Sequence, residues 1–242
     1  MQSDADTDTQ TVYVRPGFEW RAANAYLFDI DGTLLNTRDG VHYGTFTRAF
    51  REVWGVDETI DGVPWHGNTD IGIIRAVAAR AGIGEDALRL PEVCRWMGDE
   101  LQATRAKMTP DVCPAIAGIL AELREQGKLL GVATGNIESV GWAKLENCGL
   151  RDYFSLGAFS GPGCETREEI FDGGVAAVRG KLGAGAVIHI VGDTPADIRA
   201  ARHVGCSVVA VATGKYELSE LRALAPDMAL ASFAELARPM NR

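Results

Sequence analysis

The chain has no apolar run near the ~20 residues that a bilayer-spanning helix needs, so its sequence offers no transmembrane segment. It is short of positive charge, with 24 Lys and Arg against 33 Asp and Glu and a net charge of −9. That balance argues against nucleic acid or an anionic membrane surface as partner. A phosphorylated substrate stays open, because a bound cation reverses the local field. Lysine is scarcer than arginine, five of the 24 basic residues. The five cysteines (Cys94, Cys113, Cys148, Cys164, Cys206) are odd in number and never spaced C-x-x-C, which predicts inert packed thiols in a reducing cytosol. Residues Met1 to Gln10 are polar and acidic, unlike a signal or transit peptide. The expected location is the cytoplasm.

What is present is an ordinary globular composition, 46% hydrophobic and 24% charged over 242 residues, enough for one large domain or a core with an insert. The most telling stretch is Phe28-Asp29-Ile30-Asp31-Gly32-Thr33-Leu34-Leu35-Asn36-Thr37. Ala25 to Phe28 predicts a short buried strand that stops at two carboxylates. Residues i and i+2 of a strand share a side, so Asp29 and Asp31 can reach one site beyond its end. Gly32 permits the turn that follows. Two carboxylates this close repel unless a cation lies between them or one is protonated.

Along the chain, residues 1–11 (Asp4, Asp6 and Asp8 among Ser, Thr and Gln) predict a disordered acidic tail. Thr11 to Trp20 is compatible with a short strand or a surface segment, and residues 1–24 carry no assigned role. Residues 38–109 read as helical throughout. One stripe is Val41, Phe46, Ala49, Phe50 and Val53-Trp54. A second is Ile71, Ile73-Ile74, Val77, Ala78 and Ala81, opened by Thr69 or Asp70 and closed by Gly82. A third stretch spans Leu88 to Met108, with Pro91 at a break or helix start. From Pro110 strands and helices alternate: a strand over Lys128 to Ala133 ending in Thr134-Gly135-Asn136, a helix over Glu165 to Lys181 weakened by Gly173-Gly174, and a strand over Ala186 to Val191 ending in Gly192-Asp193-Thr194-Pro195-Ala196-Asp197. Such alternation predicts an α/β fold with a parallel sheet covered on both faces, segments 12–37 and 110–242 forming the core and 38–109 an inserted helical cap.

In an open parallel sheet the ligand site lies at the carboxyl ends of the strands. Three polar strand endings there would gather four carboxylates, a hydroxyl and several turn amides. With its FDIDGTLLNT (28–37), VATGN (132–136) and GDTPADI (192–198) in this order, and a helical segment after the first motif, the chain resembles the haloacid dehalogenase-like hydrolase superfamily from about residue 24 onward. Gly67-Asn68-Thr69-Asp70 resembles the phosphoglycolate phosphatase branch. The resemblance implies a Rossmann-like, doubly wound core with an all-helical cap. It implies a Mg²⁺-dependent phosphomonoesterase acting on a small phosphorylated metabolite, phosphoglycolate- or sugar-phosphate-like, through an aspartyl-phosphate. Asp29 would be the nucleophile and Asp31 the general acid and base. Mg²⁺ would be held by Asp29, the Asp31 carbonyl, Asp193 and, through water, Asp197. Thr134 with amides near Gly135 and Asn136 would bind the phosphoryl group.

One position departs from that superfamily's pattern. A lysine there stands about 25 residues before the first Asp of the last motif, and none does here. Lys181 precedes Asp193 by only 12 residues, and Lys144 lies in the helix after the second motif. Arg167, 26 residues before Asp193 at a helix start, is the expected substitute. In the cap, His42, His66 and Asn68 are candidates to touch the leaving group. Trp54, Trp65 and Trp96 are expected in the cap core, and His189 is expected to be a buried, hydrogen-bonded histidine. Among other activities, a dehalogenase would lack the second Asp of the first motif, present as Asp31. A phosphonate hydrolase would need a cap lysine, and the only one is Lys107, at its far end. A sugar phosphomutase shares all four motifs and is the alternative; a non-catalytic phosphate-binding or regulatory module is the other. Monomer and homodimer are both compatible with the sequence.

Overall fold

Strand β2 (Ala25–Phe28) is buried along its whole length. It lies between β5 (Leu129–Ile137) and β7 (Ile188–Gly192), parallel to both. Period-two alternation sends Tyr26 and Phe28 to one face and Ala25 and Leu27 to the other, and the two pairs belong to separate apolar clusters. Phe28 is fully buried, and Phe28→Ala would cost ~3–5 kcal/mol. Strand β6 (Leu156–Ser160) follows beside β5, while β8 (Ser207–Val211) and β9 (Met228–Leu230) extend the β7 side. The computed structural model describes residues 11–237, so the expected acidic tail lies, apart from Thr11, outside the described residues. The open segment after it supplies β1 (Val12–Val14), antiparallel to β9 at the sheet edge. The strand order is β1-β9-β8-β7-β2-β5-β6.

Helices cover both faces, as the alternation predicts. Helices α5 (Ile116–Glu125), α6 (Glu138–Asn147) and α10 (Ala234–Ala237) supply residues to the cluster around Tyr26 and Phe28. Helices α7 (Arg167–Leu182), α8 (Pro195–His203) and α9 (Leu218–Ala223) cover the other face. Helix α7 runs unbroken through Gly173-Gly174 despite their low propensity. A Cβ at Gly174 would lie 3.1 Å from Leu27 Cδ1 and 3.4 Å from Ala158 Cβ, so close packing on the sheet selects the bare residue. His189, buried on β7, is bonded at only one nitrogen. Its Nε2 donates to the Glu19 carbonyl at 3.2 Å, while Nδ1 has no partner among rings of Phe18, Trp20 and Tyr26.

The chain leaves and re-enters this layer through a two-stranded ribbon, β3 (Leu35–Asn36) and β4 (Asp111–Val112). Between them lie α1 (Val41–Trp54), α2 (Asp70–Ala81), α3 (Glu85–Leu88) and α4 (Leu90–Thr104), with no strand. Their apolar stripes form a third cluster that continues onto Ile137, Val140 and Ala143 below. The Thr69 hydroxyl accepts from Gly72 N to cap α2, and Gly82, at φ 71°, ends it. Trp54 and Trp96 pack against this cluster as expected. Trp65 does not: it is 54% exposed, on the loop before α2 rather than on a helix face, and its ring lies tilted by 31° against His66 with centroids 3.5 Å apart. Among the described residues, no helix is long and apolar enough to cross a membrane.

Candidate active site

The sheet register assembles the site. Phe28 pairs with both Val132 and Val191, so the polar residues after each strand emerge at one edge. Asp29 is buried there, its amide donating to the Val191 carbonyl at 2.8 Å. Gly32 turns the chain at φ 82°, and a Cβ on it would lie 2.2 Å from Asp193 Oδ2. Both facts demand glycine. A Cβ at Gly214 would meet the same oxygen at 1.8 Å, so Asp193 sits in a cradle of two bare residues. Asp29, Asp193 and Asp197 are all buried and offer carboxylate oxygens within 4.8 Å of one another. Asp197 is fixed by a reciprocal cap on α8: Thr194 donates to its Oδ2 through the amide at 3.0 Å and the hydroxyl at 2.7 Å.

One buried cation faces these three carboxylates. Arg167, first residue of α7 and 7% exposed, places Nη1 3.2 Å from Asp29 Oδ1 and 3.1 Å from Asp197 Oδ1. Burial pushes the Asp29 carboxyl up, the neighbouring Asp197 and Asp31 charges add to it, and Arg167 and the Thr134 hydroxyl oppose them, leaving it at about 6. Asp193 is raised well above the carboxylate range, by burial first and then by Asp197 and Asp29. The cluster is therefore short of positive charge. Asp197 Oδ1 and Arg167 Nη1 also lack aligned hydrogen-bond partners. Three carboxylates, a glycine cradle and a carboxylate oxygen without an aligned hydrogen bond fit a hard, oxygen-seeking divalent cation such as Mg²⁺.

Asp31 has a different environment. Its side chain is 40% exposed and Oδ2 accepts from Lys144 Nζ at 2.6 Å and Asn136 Nδ2 at 2.8 Å. Partial desolvation in the site pushes its carboxyl up, but the Lys144 charge and these bonds outweigh it and hold it below the ordinary range. The mutual repulsion expected of Asp29 and Asp31 is thus met first by two separate side-chain cations. Sequence reasoning set Lys144 aside in favour of Arg167, yet both reach the site. The available signal was a lysine on the apolar face of a helix, among Val140, Gly141, Ala143 and Leu145. Asp70, a helix-start residue and the last of Gly67-Asn68-Thr69-Asp70, is not among the sequence-based site candidates, yet it is buried and accepts from Ile137 N at 2.8 Å.

The second motif is not a simple strand end. β5 continues to Ile137, and its register with β6 shifts between Thr134 and Ile137, so Gly135 and Asn136 bulge out of the ladder. The bulge turns the Asn136 amide group inward, where Nδ2 also donates to Thr134 Oγ1 at 2.9 Å. It also lets the loop before α2 dock, since a Cβ on Gly135 would lie 2.5 Å from the Asn68 carbonyl oxygen. Above the aspartates opens a cavity of about 690 Å³, lined by His42, His66 and Asn68 and also by Tyr43, Phe46 and Trp65. The Asn68 side chain is occupied within its own loop, donating to the Pro64 carbonyl at 3.0 Å and accepting from Thr69 N at 2.8 Å. His42 meets Lys144 Nζ through Nδ1 at 3.0 Å. The five cysteines are free, and burial pushes the Cys113 thiol up to about 11.

Known proteins resemble the chain in sequence and in fold. The chain is 30% identical over 225 residues to a phosphoglycolate phosphatase of Synechococcus elongatus, covering 90% of this chain and 97% of the relative. A phosphoglycolate phosphatase of Yersinia pseudotuberculosis is 27% identical over 221 residues, covering 90% and 93%. Among solved structures, CbbY from Rhodobacter sphaeroides in complex with phosphate superimposes with a TM-score of 0.64 at 22% identity, over 88% of this chain and 96% of that one. The sequence model of the haloacid dehalogenase-like hydrolases matches residues 26–211, spanning all three polar strand endings and the helical insert, and the chain belongs to that family.

Proposed function

We propose that this phosphatase of the haloacid dehalogenase-like family is a Mg²⁺-dependent phosphomonoesterase that works through an aspartyl-phosphate. The observation that carries the reading is the meeting of buried Asp29, Asp193 and Asp197 with Arg167 at the strand ends, beneath a cavity of about 690 Å³. Asp29, Asp193 and Asp197 would hold Mg²⁺, joined by the Asp31 carbonyl; when bound, the ion neutralises the carboxylates and polarises the phosphoryl group. An Asp29 oxygen forms a bond to phosphorus while the bond to the leaving oxygen breaks. Asp31, a carboxylate in the resting site, must first take up a proton from water, and it gives that proton to this oxygen. In the second step Asp31 takes a proton from water, whose oxygen attacks phosphorus and releases phosphate and the free Asp29. Arg167 balances the phosphoryl charge beside Asp29, and the Thr134 hydroxyl with the bulged Gly135 binds the phosphoryl oxygens.

The cavity favours a leaving group of sugar-phosphate size over a two-carbon acid, which would leave most of that space to water. Its wall combines aromatic surface at Tyr43, Phe46 and Trp65 with polar groups at His42, His66 and Asn68. The relatives named as phosphoglycolate phosphatases support the reaction class and make phosphoglycolate the first control. The test is phosphate release from a panel of monoesters with and without Mg²⁺. Release is expected from sugar phosphates and from an aryl phosphate, with Mg²⁺ required. No release from any member would end the enzyme reading.

A further inference from the structure

Lys144 stands behind the reacting groups with its side chain 1% exposed. An ammonium has three N–H donors and no acceptor. All three have partners: Asp31 Oδ2 at 2.6 Å, Asn136 Oδ1 at 2.7 Å and His42 Nδ1 at 3.0 Å. No donor is left over for a phosphoryl oxygen, so phosphate binding does not account for this lysine. Because Lys144 only donates, His42 Nδ1 must accept, and the ring is assigned as the Nε2–H tautomer. Its Nε2 then faces Asp70 Oδ2 at 3.3 Å. The two oxygens of Asp31 end up unequal. Oδ2 carries two short bonds, from Lys144 and Asn136, whereas among the described residues Oδ1 has only Thr37 Oγ1 at the long distance of 3.5 Å.

We propose that Lys144 is a positioning residue for Asp31, locking the carboxylate through Oδ2 so that Oδ1 exchanges the proton, with His42 of α1 completing the lock. The inference rests on the phosphatase reading above. Its parts come from both sides of the ribbon: Asp31, Asn136 and Lys144 from the sheet layer, His42 from the helical insert. The insert therefore supplies one of the three contacts that hold the Lys144 ammonium against Asp31. A carboxylate pinned at one oxygen keeps the other in a single direction, and misplacement by about 1 Å can cost on the order of 10²-fold in rate.

The test exploits leaving groups. A nitrophenolate departs without a proton, whereas an alkyl alkoxide needs one, and kcat/KM reports on steps up to that departure. Lys144→Met should lower kcat/KM for an alkyl phosphate such as glycerol phosphate by about 10²-fold, and for p-nitrophenyl phosphate by less than about threefold. Lys144→Gln, which restores one donor, should recover part of the alkyl activity. His42→Ala should show the same selectivity at about tenfold. Equal losses on both esters would overturn the proposal and put Lys144 on the phosphoryl group; unchanged alkyl activity would overturn it by making the network packing alone. If Lys144→Met does not fold, His42→Ala decides in the same way. Wild-type protein inactive on both esters would instead refute the function on which the proposal rests.

Discussion

Gly135→Ala isolates the seating of the helical insert from the chemistry. The backbone at Gly135 is outside the left-handed region, so alanine brings no strain of its own to the strand. The added Cβ, however, would lie 2.5 Å from the Asn68 carbonyl oxygen and 3.1 Å from Thr69 Cα. An ordinary carbon–oxygen contact is about 3.3 Å, so the loop must retreat by roughly 0.8 Å. The obstacle is backbone and cannot rotate away. That retreat strains three contacts at once: the Thr69 hydroxyl on the Glu165 carbonyl at 2.5 Å, Ile137 N on Asp70 Oδ2 at 2.8 Å, and Arg75 Nη2 on Glu165 Oε1 at 2.8 Å. Overpacking of this kind costs ~1–3 kcal/mol, and a displaced insert would lower kcat by on the order of 10²-fold. Steady-state kinetics beside a thermal melt reads both effects. Gly173→Ala is the control: it lies in α7 with nothing near its Cβ and should gain up to about 1 kcal/mol without loss of rate. A Gly135→Ala enzyme with wild-type kcat and a wild-type melt would refute the claim that this contact seats the insert.

Other outcomes follow from the same geometry. Asp29→Asn should abolish turnover and the acid-stable, hydroxylamine-sensitive phosphoenzyme, whereas Asp31→Asn should keep the nucleophile and lose about 10²–10⁴-fold in kcat; full activity in either removes its assigned role. Arg167→Ala should weaken competitive inhibition by inorganic phosphate and lower kcat, with Arg167→Lys recovering only part, because an ammonium is a point charge; an unchanged inhibition constant would refute it. Burial holds the His189 imidazole below its ordinary value of 6.5, so its contribution to stability is complete above that pH and is lost as pH falls through the lower folded value. His189→Phe should therefore flatten the decline of the melting temperature below pH 6.5, and an unaltered slope would count against that assignment. Arg75→Met, which removes a partly exposed pair worth about 1 kcal/mol, should raise KM for sugar phosphates more than for an aryl phosphate.

Much of the architecture was readable because it rests on local rules. Burial on both faces makes β2 an unbroken apolar run, and helical periodicity marks the stripes of α1 and α2 without any tertiary information. The misses occur where tertiary contact overrides the local rule. Gly173-Gly174 lowers helix propensity, and only the approach of Leu27 and Ala158 shows why glycine serves at position 174. The strand after Lys128 does not stop at Thr134, because β6 continues to pair beyond a bulge that the chain does not announce. Trp65 was read as core from its residue type, yet it belongs to no helical stripe, and a loop aromatic is free to face the cavity.

The charges at the site were harder to read, for a reason that bears on mechanism. A sequence can show that four carboxylates converge, but it leaves open how their charge is divided. One missing lysine in the motif pattern suggests a single substitute cation, Arg167, for the whole site. The fold separates the tasks instead. Arg167, from the start of α7, lies against Asp29 and Asp197, where phosphoryl charge would collect; Lys144, from the buried face of α6, pairs with the Asp31 carboxylate instead. The opposite shifts of the two motif carboxyls follow, Asp29 raised to about 6 chiefly by burial and Asp31 lowered because Lys144 outweighs its burial. On the proposed reading, a nucleophile at Asp29 in a charge-poor cluster would call for a metal ion, while a proton carrier at Asp31 with its own cation would not. That difference would separate the proposed roles of two aspartates which, two residues apart on one turn, look alike in the sequence.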